Sequence, residues 1–286
     1  MRSKLKTLSL LGLSEHNRKS NSISVGCQRR NGRGFGTQDC WAKRLVAFLR
    51  STIPGVSVTA NSATRVALLL GVAVDLVLIA VRVFLYRPFL AMPGGLTFVI
   101  EPVTMLIVYG VLVLWITTTG GLPRQSAIAR GTIFGLITGA LQVTHMTLEN
   151  FVDLGPRLNG ITTLTFMFCA FMLWGVAGYV VARSTKSIFS GITAAVWSAV
   201  VSTLITVTFG FALMYSSVPR PEYVATWAEF KRSGWTDARA FAIANTLDAG
   251  FSHLIIAPIV GIIFGAIGAA MASWRPTPPP DPTKTV

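Results

Sequence analysis

The sequence lacks the short motifs that mark most enzymes. It has no H-E-x-x-H zinc site, no G-x-S-x-G nucleophile elbow, no phosphate-binding loop and no dinucleotide fingerprint. Two histidines in apolar stretches are too few for a multi-histidine oxygenase, and Glu101 stands alone where a glutamate-based membrane protease would show a pair. These absences disfavour an enzyme without deciding the question, and they give no reason to predict a cofactor.

Cysteine is scarce. Cys27, Cys40 and Cys169 match no metal-binding or redox spacing and imply no disulfide framework. The first two lie in a basic N-terminal segment and the third lies inside an apolar stretch.

Charged residues are also few, and they are unevenly signed. They make up 13% of the chain, with 25 Lys and Arg against 11 Asp and Glu, so the formal net charge is +14. Hydrophobic residues make up 52%, and the mean hydropathy is +0.59. This composition favours an integral membrane protein in contact with a lipid bilayer.

Six apolar stretches are long enough to cross a hydrocarbon core of about 30 Å, which needs roughly 20 helical residues. No stretch shows the period-2 alternation of a membrane β-barrel. The sequence therefore predicts an all-α, polytopic bundle of six transmembrane helices. The predicted spans are 66–85, 98–116, 127–148, 161–182, 188–215 and 250–273.

The positions of Lys and Arg predict that both termini are cytoplasmic. The first 65 residues hold twelve Lys and Arg but only two acids, and the other connections on that side are also basic. Residues 1–60 are predicted to be a largely disordered tail, with an amphipathic helix over 41–53 that lies on the inner membrane surface or packs on the bundle. Residues 274–286 are predicted to be a proline-rich cytoplasmic tail. The basic N-terminal tail shows no nucleic-acid recognition pattern, so no nucleic-acid partner is predicted.

The long outer connection over 216–249 is predicted to be helical. Gly234 is expected to end its first helix, and Thr236 to cap a second helix that runs into the sixth span. This segment is interpreted either as an anchor at the outer interface or as a lid over an outer cavity.

Two ionisable residues in the first span need a physical reason. A charge at mid-bilayer costs about 2.5–3.5 kcal/mol on insertion scales, so Asp75 and Arg82 require a partner or a cavity. Their separation of seven residues places them on one helix face. They are interpreted either as a structural pair or as part of a transport path with Asp75 as its protonatable carboxylate.

The third span carries a polar stripe. Thr138, Gln142, His145 and Glu149 follow a helical spacing that keeps them on one side. A helix with such a face cannot turn it toward lipid, so the stripe must line an aqueous cavity or a buried hydrogen-bond network.

Small residues extend this face and recur in the sixth span. Gly131 and Gly135 in the third span resemble Gly261, Gly265 and Gly268 in the sixth, and small residues at such spacing predict close helix packing. If the two glycine faces pack on each other, His145 and His253 lie at similar depth. The decapeptides that start at Gly131 and Gly261 match at six of ten positions, so an inverted repeat is possible.

Glu101 begins the second span at this same outer level. The collected outer groups are interpreted as a satisfied polar cap, as a vestibule for protons or ligands, or as a metal site. The metal candidates His145, Glu149 and His253 are weak, because an i, i+4 pair with one remote histidine is not specific.

The leading hypothesis is a small transport-type or permeation-type protein of the cell membrane with an outward-facing polar site. In it, His145 and Glu149 bind a small polar solute, ion or proton, and the two glycine faces slide to gate the site. The rival is a non-transporting subunit or assembly factor whose buried polar network is structural. A membrane-protein partner or a homo-oligomer is compatible with either hypothesis.

Overall fold

The computed structural model describes residues 58–118, 122–152, 154–216 and 224–274, and every regular element in these ranges is an α-helix. The predicted helix over 41–53 and the proline-rich tail after Trp274 lie outside the described residues. The helices are α1 (Val58–Leu85), α2 (Pro88–Ala91), α3 (Gly95–Thr118), α4 (Leu122–Phe151), α5 (Gly155–Thr185), α6 (Ile188–Ser216), α7 (Ala228–Ser233) and α8 (Ala238–Ser273).

Six of these helices are long and apolar enough to cross a membrane, namely α1, α3, α4, α5, α6 and α8. Large apolar side chains such as Leu164, Phe168 and Phe189 are exposed on their surfaces. Apolar surface this extensive is stable against hydrocarbon and not against water. The chain is therefore a multi-pass membrane protein whose helices contact lipid.

The helix α8 is the longest and continues from the connection into the sixth apolar stretch. At about 1.5 Å per residue its 36 residues extend about 54 Å, well beyond a hydrocarbon core of about 30 Å. The residue that begins it is Asp237, because its carboxylate accepts the backbone N–H groups of Arg239 at 2.9 Å and Ala240 at 3.0 Å. The prediction that Thr236 caps this helix is wrong. The preceding short helix, α7, ends at Gly234, whose φ of 74° suits glycine.

Helices alternate in direction through the bundle. The parallel course of α4 and α6 follows from their contacts, because Gly131 approaches Trp197 and Gly139 approaches Ile205. Helices joined by short connections run antiparallel. We call the end with the first residues of α1, α4 and α6 the tail end, and the end with α2 and α7 the loop end.

The helix α6 is the centre of the fold and the most buried of the six. A Cβ added to Gly135 would lie 2.6 Å from Val201 of α6, and one added to Gly265 would lie 2.5 Å from Ala195 of α6. A Cβ added to Gly268 would lie 2.0 Å from the Gly175 oxygen of α5. Contacts this short are available only to glycine, so these backbones approach more closely than side chains allow. We call α4, α5, α6 and α8 the scaffold.

The two glycine faces do not pack on each other. Gly131 and Gly135 lie against α6, and so do Gly261 and Gly265 on another side of that helix, whereas Gly268 lies against α5. The assumption of direct packing, on which the equal depth of the two histidines depended, is therefore wrong. The physical reason is that α6 itself is lined with small residues and accepts a glycine face on two sides.

The helices α1 and α3 form a separate antiparallel pair. A Cβ added at Gly71 would meet no atom within 4 Å, and one added at Gly110 would meet only the Val72 side chain at 3.9 Å. The pair contacts the scaffold mainly through α6 and α8. We call this contact, with α1 and α3 on one side and α6 and α8 on the other, the seam.

Candidate functional site

A buried stripe on α1 faces the scaffold and contains a carboxylate. Leu68, Val72 and Ile79 are its apolar members, and Asp75 lies among them with no exposed surface. Both of its carboxylate oxygens are buried without a hydrogen-bond partner among the described residues. The Thr208 hydroxyl of α6 lies near this carboxylate across the seam but outside normal hydrogen-bond geometry. An unpaired carboxylate among apolar groups is costly, so this residue needs a reason.

Arg82 lies two turns further along the same stripe and is 4% exposed. Its guanidinium carbon lies 5.6 Å from the centre of the Tyr215 ring of α6, a cation–π distance. Its Nε and Nη2 atoms have no hydrogen-bond partner in the described part of the chain. Seven residues of helix separate it from Asp75 by about 10 Å, and no ion pair joins the two. The two ionisable groups share a face without neutralising each other directly.

A tyrosine from α3 crosses the middle of the seam. The Tyr109 hydroxyl donates to the backbone carbonyl of Leu254 in α8 at 2.8 Å. That carbonyl lacks its usual helical donor because the residue four positions later is Pro258, which has no N–H. The Thr203 hydroxyl of α6 also interacts with Tyr109.

Two further tyrosines join the same bodies nearer the loop end. The Tyr215 hydroxyl of α6 donates to the Leu78 carbonyl of α1. The Tyr86 hydroxyl, just after α1, donates to Asp237 at 2.5 Å. Three tyrosine hydroxyls therefore bridge the seam, from its middle to its loop end.

The Tyr86–Asp237 pair shifts the titration of both groups. Burial alone would raise the pKa of Asp237, but the Tyr86 hydroxyl, the N–H groups of Ala240 and Arg239 and the charge of Arg239 outweigh it, so this pKa lies below its usual value. The same hydrogen bond, together with burial, raises the pKa of Tyr86. The Arg239 guanidinium lies 4.9 Å from the centre of the Tyr86 ring.

The polar stripe of α4 lies inside the scaffold. The Thr206 hydroxyl of α6 lies 2.6 Å from the Gln142 side-chain oxygen. His145 faces α5 instead, with its Nε2 at 3.2 Å from the Thr163 hydroxyl and its ring stacked on Phe166 at 5.2 Å. Most of this stripe therefore takes part in helix-to-helix hydrogen bonds.

The two ends of that stripe differ. Thr138 is fully buried, and its hydroxyl has no partner within the described ranges. Glu149 is exposed at the loop end, where the Asn159 amide lies 3.5 Å from its carboxylate.

The remaining predicted site residues lie apart from these groups. His253 is exposed on α8, and its Nδ1 lies 3.2 Å from the Ala249 carbonyl of its own helix. Glu101 is half-buried on α3. Among the residues that the structure describes, no three His, Cys, Asp or Glu side chains lie close enough to hold a metal ion.

Sequence reasoning missed most of the polar groups that meet within the seam. Tyr109, Thr203, Thr208 and Tyr215 are ordinary residues of apolar helices, and no local pattern distinguishes them. Pro258 did carry a signal, because a proline inside a helix frees the carbonyl four residues earlier. The partner of that carbonyl lies 145 residues away and could not be read from the sequence.

Comparison of the chain with protein-family models, with curated proteins and with solved structures gives no match. The seam combines a buried carboxyl, a buried guanidinium and single tyrosine hydroxyls between two helical bodies. Such groups can bind and release a proton or a small ion when the two bodies separate.

Proposed function

We propose that this protein is a small transport-type or permeation-type protein of the cell membrane, in which the seam opens and closes over Asp75. The observation that carries the proposal is the burial of this carboxyl between two helical bodies, with no hydrogen bond of normal geometry to any described residue. Ionisable groups inside membrane helices are rare, because their cost must be offset by a role.

The proposal includes six spans with both termini in the cytoplasm. Arg130, Arg183 and Lys186 lie at the tail end, where α1 also begins, and the sequence that precedes α1 is strongly basic. The loop end carries a more balanced set of charges, including Asp237 and Glu229. Under the positive-inside rule the tail end is cytoplasmic and the loop end faces outward.

The seam is a better site than the stripe on α4. Gln142 and His145 already have partners on α6 and α5, so their hydrogen bonds support a fixed packing of the scaffold. In contrast, Asp75 and Arg82 face α6 with unpartnered atoms. A site that binds and releases a solute needs groups whose bonding changes between states, and the seam offers them.

The contacts on either side of the seam support movement of α1 and α3 as one body. Scaffold helices meet at glycines with almost no space between backbones, so sliding one past another would cause clashes. The α1 and α3 pair is held to the scaffold by side-chain packing and by three tyrosine hydroxyls. All three hydroxyls lie between the middle of the seam and the loop end, so their release opens the seam outward.

The rival function is a non-transporting subunit or assembly factor, and the hydrogen-bonded stripe of α4 is the observation that favours it. The two functions differ in whether water reaches the seam. Thr203 on the seam side of α6 and Thr138 on α4 form a matched pair for testing this. Both threonines are fully buried, and neither hydroxyl makes a hydrogen bond of normal geometry to a described residue. The parallel register of α4 and α6 places them at similar depth.

The experiment compares Thr203→Cys with Thr138→Cys, each in full-length protein in which Cys27, Cys40 and Cys169 are replaced by serine. Both are reconstituted in liposomes and exposed to a water-soluble thiol reagent from the outer side. We expect Thr203→Cys to be labelled at least tenfold faster than Thr138→Cys. Equal and negligible labelling of the two would contradict an opening seam and favour the structural rival.

A further inference from the structure

The space around Asp75 limits what it can bind. Each of its carboxylate oxygens has less than 1 Å² of accessible surface. A water molecule, a hydrated ion or a polar solute therefore has no room at these atoms while the seam is closed. A hydrogen atom on one oxygen is the only ligand that the packing accommodates.

The surroundings also disfavour a charged Asp75 in this closed arrangement. Its neighbours on the stripe are apolar, and the nearby Thr208 hydroxyl of α6 does not reach hydrogen-bond geometry with either oxygen. Arg82 lies about 10 Å away along the helix, too far for direct neutralisation. The titratable groups on the helices packed against α1 include Tyr109 and Glu101 on α3, Tyr215 on α6, and Arg130, His145 and Glu149 on α4. The three on α4 contact α5, so none of these groups brings a positive charge to Asp75.

We infer that Asp75 holds a proton as a neutral carboxylic acid in the closed seam, and that the proton is the ion this protein moves. This inference rests on the proposed function, since it names the substrate of the same seam. As the seam closes, the Asp75 carboxylate takes a proton from hydronium in water on the tail-end side, so an O–H bond forms at one carboxyl oxygen and the hydronium becomes water. When the seam opens, that bond breaks and the proton passes to entering water, leaving a carboxylate.

Arg82 has a defined part in this cycle. It lies on the loop-end side of Asp75, on the same face of α1. Once water fills the opened seam, its positive charge favours the carboxylate and hence release of the proton toward the loop end. As the seam closes again, the carboxylate loses its solvation, and a proton from hydronium on the tail-end side restores the neutral acid.

The first test is infrared spectroscopy of the full-length protein in liposomes at neutral pH. A protonated carboxylic acid has a carbonyl stretching band separate from that of a carboxylate, and the band shifts in heavy water. We expect the band in the wild type, its loss in Asp75→Asn, and its persistence in the matched control Glu101→Gln. Asp75→Glu should retain a band at a changed frequency, which assigns it to this position even if the asparagine variant does not fold. Identical wild-type and Asp75→Asn spectra would overturn the inference.

The second test measures proton flux with a pH-sensitive dye inside the same liposomes under an imposed potassium diffusion potential. We expect Asp75→Asn to reduce the flux at least tenfold, while Glu101→Gln leaves it near the wild-type rate. No wild-type flux, with Thr203→Cys still labelled, would overturn the proton as substrate and leave the opening seam intact. An unlabelled Thr203→Cys would instead contradict the proposed function, and the infrared band would still decide the protonation of Asp75.

Discussion

The hydroxyl of Tyr109 donates to the carbonyl oxygen of Leu254 at 2.8 Å, across a seam that separates two helical bodies. This hydrogen bond exists because Pro258 removes the donor that would otherwise satisfy the carbonyl. The proline of one body therefore creates the acceptor for a tyrosine of the other body. Such a bond can be broken and remade without unfolding either helix.

Tyr109→Phe should destabilise the protein by about 1–3 kcal/mol, because it leaves a buried carbonyl without a partner. Replacing Pro258 with alanine restores a helical donor to the same carbonyl, so the tyrosine should matter less in that background. A double-mutant cycle in detergent, followed by thermal or denaturant unfolding, measures the coupling. Additive effects of the two substitutions would contradict the link between the proline and the tyrosine.

Gly268→Ala should be strongly destabilising, by about 2 kcal/mol or more, because the new methyl group cannot fit and the helices must shift. Its Cβ would lie 2.0 Å from the Gly175 oxygen of α5. The matched control is Gly71→Ala in the α1 and α3 pair, where no atom lies within 4 Å. That change should be neutral or stabilising by about 0.5–1 kcal/mol from helix propensity. Similar losses in both variants would contradict the division into a tight scaffold and a looser pair.

The contact between Tyr86 and Asp237 should weaken in acid and in strong base. The pKa of Asp237 is depressed in the folded protein, so its stabilising effect is present above the unfolded value of about 3.9 and is lost as pH falls through the lower folded pKa. The pKa of Tyr86 is raised, so the stabilising effect is present below its unfolded value of about 10 and is lost as pH rises through the higher folded pKa. The two pKa shifts arise in part from the same hydrogen bond, so their contributions to stability are not additive.

Asp237→Asn tests this pH dependence. Between pH 2 and pH 5, the unfolding temperature of the variant should vary less than that of the wild type, because the titrating carboxyl is gone. This pH window brackets the reference aspartate pKa of about 3.9. Thermal unfolding of both proteins across these pH values provides the measurement. An unchanged acid profile would mean that the carboxyl of Asp237 does not contribute to the loss of stability in acid.

His145 and His253 should respond differently to alanine substitution. His145→Ala removes a contact to Thr163 and a stacked ring at Phe166, so it should cost about 1–2 kcal/mol of stability. His253 is exposed and contacts only its own helix among the described hydrogen bonds, so its replacement should change stability by less than about 0.5 kcal/mol. Thermal unfolding in detergent distinguishes the two alanine variants. Thiol labelling of Thr203→Cys should be unaffected by either substitution. A greater loss for His253→Ala would contradict the placement of these rings.

Hydropathy alone predicted the six apolar helices, because a chain in lipid must satisfy its backbone groups within each helix. The cost of ionisable groups in hydrocarbon also singled out Asp75 and Arg82 before any packing was known. The stripe of α4 was likewise predicted to face away from lipid, yet its spacing could not say whether it faces a cavity or another helix. The structure places Gln142 against α6 and His145 against α5.

The amino-acid sequence by itself determined that this is a helical membrane protein, which residues of α1 share one face, and where glycines permit close approach. These properties depend on local periodicity and composition, which are one-dimensional. Only the tertiary structure decided that α6 receives glycines of both α4 and α8, that α1 and α3 stand apart from the scaffold, and that tyrosines bridge the seam. Those relationships depend on which apolar surfaces meet, and in lipid nearly every such surface is equally apolar, so small differences in shape select the partners.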